Sequence, residues 1–162
     1  MALLDVCQWL QDTAWATGVR ESAYTYPIVE GSHVMGLALS VGSVLWFDLR
    51  LLGLTMRSDR VSEVFHQVRP WMLLGFAIMF TTGALLFAAR AVDAYESVYF
   101  RIKIGLLVLG ALNVVLFHAT VDRQREQWDT GRPPLRARLA GGISLVLWFG
   151  IIAAGRIMAY NL

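Results

Sequence analysis

Residues 70–91 read PWMLLGFAIMFTTGALLFAARA, twenty-two positions with no ionisable side chain before Arg90. At 1.5 Å of rise per residue such a run extends about 33 Å as a helix, enough to cross the roughly 30 Å of hydrocarbon in a bilayer. Its neighbours repeat the pattern. Upstream, residues 30–55 read EGSHVMGLALSVGSVLWFDLRLLGLT. Downstream, apolar blocks occupy roughly 101–121 and 137–159, the last reading ARLAGGISLVLWFGIIAAGRIMA. Four blocks of one length separated by short polar links predict an all-α integral membrane bundle of four transmembrane helices. Its domain is placed at residues 27–162, behind an amphipathic segment at 1–26. Pro27 and Pro70 suit the first turns of the first and second spans. MRSDRVSEVFHQVR before Pro70 reads as a loop, and Gly131, Pro133 and Pro134 punctuate the link before the fourth span.

Composition agrees. Of the 162 residues, 57% are hydrophobic and 16% charged, against roughly 45–50% and 25% in a soluble domain. The mean hydropathy is +0.55. Lys103 is the only lysine among the 14 basic residues, so the other 13 are arginine. They cluster in the links between apolar blocks, which is where membrane topology puts them, and this argues against nucleic-acid binding. One cysteine, Cys7, excludes a disulfide within the chain and reads as a buried small apolar residue. No Gly-rich phosphate loop, Cys-x-x-Cys, His-Glu-x-x-His or Ser-His-Asp set is visible, and four spans are few for a secondary transporter.

Before the first span, residues 3–18 place Leu3, Leu4, Val6, Cys7, Leu10 and Ala14 on one helical side and Asp5, Gln8 and Asp12 on the other. This is the pattern of a helix lying in the membrane interface or packed on a protein partner. Orientation follows from the loops. One side carries Arg50, Arg57, Arg60, Arg69, Arg123, Arg125, Arg132, Arg136 and Arg138; the other carries Arg20, Arg90, Arg101, Lys103 and Arg156. The richer side belongs inside, which sends both termini outside.

Ionisable groups at membrane depth are costly, so each one counts as a functional candidate. His33 lies in the outer part of the first span, with Glu30 three residues before it on the same face, where its carboxylate is placed to orient the imidazole, and with Gly36, Ser40 and Ser43 continuing that face inward. An imidazole followed by small residues suits a haem ligand; a histidine hydrogen-bonded to a neighbouring helix is the alternative. His118 stands near the inner end of the third span and His66 just before the second. As a bis-histidine pair they differ in depth, about 11 Å against 22 Å from the bilayer centre. Lys103 faces the side of His118 but lies in the opposite leaflet, where it snorkels or meets an anionic group near His33. Met158 is an alternative haem ligand in the leaflet of His33. Asp48 is expected to pair with a loop arginine, Arg50 and Arg156 to anchor at headgroups, and Asn113 to bond to another helix. Gly75, Gly83, Gly105, Gly110, Gly141, Gly142, Gly150 and Gly155 allow close helix approach.

Together, PIVEGSHVMGLALSVG with FDLRLLGL, TTGALLFAARA, YFRIKIGLLVLGALNVVLFHA and SLVLWFGIIAAGRIMAY resemble a group of small uncharacterised bacterial four-helix membrane proteins. The pattern, over about residues 27–160, is similar to the copper-resistance-D type membrane domain and to the HemJ-type membrane protoporphyrinogen oxidase. The HemJ resemblance implies haem b and importance for a first-helix histidine and a third-helix lysine, positions matched here by His33 and Lys103. His118 resembles a recurrent third-helix histidine of the uncharacterised group. The N-terminal amphipathic helix is not part of the HemJ pattern, and Tyr99-Phe100-Arg101-Ile102-Lys103 stands where that family has a further histidine.

The resulting expectation is a haem-b-binding protein of the bacterial inner membrane with both termini periplasmic. It would serve electron transfer or anchor a redox complex, with quinone as a possible partner, surrounded by lipid and assembled as a homo-oligomer or as a subunit of a larger complex. Its candidate cofactor ligands are His33, His118, His66 and Lys103, with His33 and His118 as metal ligands. The alternatives are a non-catalytic membrane subunit and an oxidoreductase acting on a porphyrinogen or quinone.

Overall fold

The computed structural model describes residues 3–160, apart from the side chains of Gln124 and Arg125. The chain ends, whose side of the membrane the loop charges predict, and the Arg125 charge in that argument lie outside the described residues. Among the described residues the only regular elements are helices, joined by short turns. α1 is Leu3–Gln11, α2 Ala14–Glu21, α3 Thr25–Leu51, α4 Val61–Ala89, α5 Ala91–Glu96, α6 Val98–Leu116 and α7 Leu135–Tyr160. A π-turn over Phe117–Val121 and a 3₁₀ turn over Asp122–Gln127 continue α6 into the link before α7. α3, α4, α6 with its π-turn, and α7 are each long and apolar enough to span a bilayer, which makes this a multi-pass membrane protein.

The span ends follow local chemistry. α3 stops at Leu51 because Gly53, at φ +71°, turns the chain into the left-handed region. Gly53 N–H donates to the Arg50 carbonyl and Leu54 N–H to that of Leu49, both at 3.0 Å, the paired bonds of a Schellman stop. Four residues expected in the first span therefore lie beyond it.

The second span starts nine residues earlier than expected. Val61 to Arg69 is helical, and Pro70 sits inside α4. The helix is extended by a cap from far along the chain. Asp129 Oδ1 accepts from Ser62 N–H at 2.7 Å and its Oδ2 from Ser62 Oγ at 2.6 Å. The Asp129 carbonyl takes the N–H of Val61 at 3.0 Å. These bonds satisfy amide donors that the first turn leaves open. Pro70, lacking an N–H, leaves the His66 carbonyl without its usual helical donor.

The amphipathic N-terminus is two helices rather than one. Thr13 is extended between them (ψ 144°), and its hydroxyl donates to the Leu10 carbonyl at 2.7 Å. Both fold against the bundle where α4 meets α5. Gln11 Oε1 accepts from Val92 N–H at 3.0 Å, and Arg20 Nη1 donates to the Ala89 carbonyl at 3.1 Å. Cys7 and Ala16 are buried there, while Leu3 and Trp9 stay exposed.

α3 and α4 form the closest pair. A Cβ on Gly75 would stand 2.8 Å from Ser40 Cα and 2.9 Å from the Gly36 carbonyl, so only glycine permits this approach. α6 and α7 form a second pair, pinned where Asn113 Nδ2 donates to the Ala140 carbonyl at 3.0 Å. α7 meets α3 through Gly141, whose Cβ would lie 3.2 Å from the Asp48 carbonyl oxygen. The apolar core sits at this arginine-rich end, around Phe47, Leu51, Val64, Phe117 and Ala137. α3 is central: 39% of its apolar window is buried, against 6% for the third span. No residue of α6 is fully buried.

Candidate functional site

His33 enters the bundle half-buried, from α3 toward α4. Its Nδ1 lies 3.0 Å from Thr82 Oγ1. The threonine hydroxyl has one proton, and that proton is committed to the Ile78 carbonyl at 2.7 Å. Thr82 Oγ1 therefore accepts, His33 Nδ1–H donates, and the basic lone pair of the neutral imidazole sits on Nε2. Thr82, rather than Glu30, fixes the ring; Glu30 is exposed. Gly83 makes the space, since a Cβ there would lie 3.1 Å from His33 Cε1.

Lys103 reaches the same region from α6. Its ammonium acts electrostatically on the His33 ring. It lies against Gly155 of α7, where a Cβ would stand 3.5 Å from Nζ. No ion pair to Lys103 forms among the described residues, so a half-buried cation is left beside a half-buried imidazole. Gly83 and Gly155 thus give room to two polar side chains, a role beyond helix packing. Phe87 of α4 and Phe100 of α6 stack nearby in sequence, with centroids 5.3 Å apart and planes at 13°.

The other histidines lie elsewhere. His118 is exposed, and its Nδ1 is 2.9 Å from Asp122 Oδ2 one turn on. His66 is exposed as well. The two rings flank Phe65, at 6.0 and 6.3 Å between centroids. His66 and His118 therefore share the arginine-rich end, His33 and Lys103 share the other, and His33 and His118 are not brought together. Among the described residues, no group of three or more His, Cys, Asp or Glu could hold a metal ion. Met158 is half-buried, with no bond that ties it to His33.

Two expectations need correction. Asp48 does not pair with a loop arginine: it is 4% exposed, lies near Ser144 of α7, and its Oδ2 is buried without a partner. Arg50 is no headgroup anchor: at 1% exposure it is enclosed, and its Nε and Nη2 donate to the Asp59 carbonyl at 3.1 and 2.8 Å. In sequence both look like charges at a span end. Only the return of α7 over α3, and the turn through Gly53, covers them. Arg156 does stay at the surface, with Nη2 donating to Tyr160 Oη at 3.1 Å.

Four apolar spans, with His33 and Lys103 carried to the same region from α3 and α6, define a small multi-pass membrane protein. The chain belongs to the family described as a family of unknown function (DUF6644), which matches residues 20–161 and so covers all four spans while leaving α1 outside. No curated protein and no solved structure matches the chain.

Proposed function

We propose that the protein binds haem b through His33 and serves electron transfer, or the anchoring of a redox complex, with quinone as a partner. The observation that carries this reading is the hydrogen-bond chain Ile78–Thr82–His33, which leaves Nε2 as the free nitrogen of an oriented imidazole. Metal-binding histidines are held in this way, with the second ring nitrogen donating to a fixed acceptor. The donor set fits one axial ligand. Lys103 brings a cation to the region of His33, suited to a propionate carboxylate, and the match of His33 and Lys103 to the HemJ-type pattern adds support. Bound haem would supply the one-electron chemistry. The chain's own groups do the rest: Thr82 fixes the ring, Gly83 leaves it space, and Lys103 holds negative charge. His118 and His66, exposed at the opposite end, are not assigned to this haem.

Protein purified from haem-replete cells is expected to show a Soret band and, after dithionite, an α band. Both are lost in His33→Ala and kept in His118→Ala. Absence of both bands from the unaltered protein ends the haem reading.

A second reading, a non-catalytic subunit, is favoured by α6, which buries no residue fully and offers its apolar faces to lipid or to another chain. It predicts a colourless protein whose His33→Ala form still assembles. Turnover of a porphyrinogen, lost in Lys103→Ala, would favour an oxidoreductase instead.

A further inference from the structure

At the arginine-rich end of the bundle, a cavity of about 530 Å³ opens between the α3–α4 turn and the link leading into α7. Arg50, Arg57, Arg132 and Arg138 line it, together with Thr130 and Gly131. Arg50 is committed: it donates to the Asp59 carbonyl, and the carboxylates of Asp129 and Asp59 lie within its electrostatic reach. Arg57 Nε donates to the Gly53 carbonyl at 2.6 Å. Arg138 Nε is buried with no hydrogen-bond partner. No ion pair to Arg57, Arg132 or Arg138 forms among the described residues. The lining therefore carries four arginines and no carboxylate, and beside it Arg138 Nε is an enclosed donor with nothing to bind.

The same Arg138, with Leu52, also lines a second concavity of about 470 Å³. That one is apolar, walled by Leu139, Ile143, Val146 and Leu147 along one side of α7, with Gly142 as part of its floor. From Leu135 to Leu147 the groove follows α7 for about 18 Å, close to the ~15 Å depth of one leaflet's hydrocarbon. A cationic chamber at the end of the spans leads past Arg138 into an apolar trough about 18 Å long.

We propose that these two spaces form one binding site for an anionic phospholipid, its phosphate in the arginine chamber and an acyl chain along α7. A guanidinium fork matches phosphate oxygens in charge and geometry. Basic residues next to the hydrocarbon attract anionic headgroups. A free phosphate would satisfy the chamber but leave the groove unused, so the joined shape selects the lipid.

The test uses the full chain in mixed detergent micelles carrying dioleoylphosphatidylglycerol, dioleoylphosphatidylcholine or sodium phosphate, with thermal unfolding and native mass spectrometry as readouts. Phosphatidylglycerol is expected to raise the melting temperature and remain bound, phosphatidylcholine and phosphate to do neither. The double variant Arg132→Gln/Arg138→Gln should weaken phosphatidylglycerol binding roughly ten-fold or more. Gly142→Leu, which fills the groove and leaves every arginine in place, should also weaken it. It decides the matter if the double variant does not fold. Equal effects of the two lipids overturn the proposal. Phosphate acting as well as phosphatidylglycerol, or Gly142→Leu leaving the lipid preference intact, reduces the site to a soluble-anion pocket and overturns it too.

Discussion

His33 Nδ1 donates to Thr82 Oγ1 across the α3–α4 interface at 3.0 Å, and this bond decides which nitrogen of the imidazole is available. The threonine cannot donate in return, because its proton is held by Ile78. Thr82→Val keeps the shape and removes the acceptor. It should lower stability by about 1 kcal/mol and free the ring to rotate. Unfolding in detergent measures the first effect; a broadened or shifted Soret band measures the second. Thr82→Ser should restore both, and a Thr82→Val protein indistinguishable from wild type would refute the orienting role.

Lys103 predicts a separation between stability and binding. An unpaired ammonium in the membrane domain costs free energy, which an apolar side chain of similar length does not. Lys103→Met should therefore melt at the same temperature as the parent or higher, while retaining less haem per chain. A large fall in melting temperature would mean that the lysine has a structural partner.

The approach of α3 and α4 depends on Gly75. A Cβ there meets backbone atoms of Ser40 and Gly36 rather than a movable side-chain tip. Gly75→Ala should cost about 1–3 kcal/mol as the helices are forced apart. Gly105→Ala is the matched control, because nothing lies within 4 Å of its added Cβ. Equal melting temperatures for the two variants would contradict the close contact.

Asn113 should behave as an interhelical link. Its bond to the Ala140 carbonyl joins α6 to α7, and such bonds in membrane bundles average about 0.6 kcal/mol and reach ~1.7. Asn113→Leu should fall in that range, with haem absorbance unchanged. A loss of absorbance instead would place Asn113 in the binding site.

Asp129 supports α4 from 67 residues away along the chain. Asp129→Ala removes the acceptors for Ser62 N–H and Oγ and should cost about 1 kcal/mol, up to ~2. Asp129→Asn, which keeps one acceptor oxygen, should cost less. Amide hydrogen exchange over Val61–Val64 should accelerate in the alanine variant before the rest of α4 is affected, and an unchanged rate there would argue against the cap.

Much of this was legible in the residues. Apolar run length dictates four helices, because a backbone in hydrocarbon must satisfy its own hydrogen bonds. Cys7 as a buried residue, Asn113 as a link between helices and the close contacts at Gly36, Gly75 and Gly141 followed from chemistry that acts locally, whereas Gly105 and Gly110, expected to do the same, have nothing within 4 Å of an added Cβ. The span ends were less legible, because the bonds that set them are not local in sequence: Asp129 begins α4, and the cap, rather than Pro70, sets where that helix starts.

The sequence by itself determined that this chain crosses a membrane four times and that His33, His118, His66 and Lys103 are its polar groups to explain, since hydrophobic length and the cost of burying charge are readable one residue at a time. Which groups meet was decided only by the tertiary structure. Helix rotation and the close contacts at Gly36, Gly75 and Gly141 bring Thr82 to His33, carry Lys103 toward them, close Asp48 and Arg50 from solvent and leave His118 outside. Those outcomes depend on angles between helices, which packing sets and linear spacing does not encode.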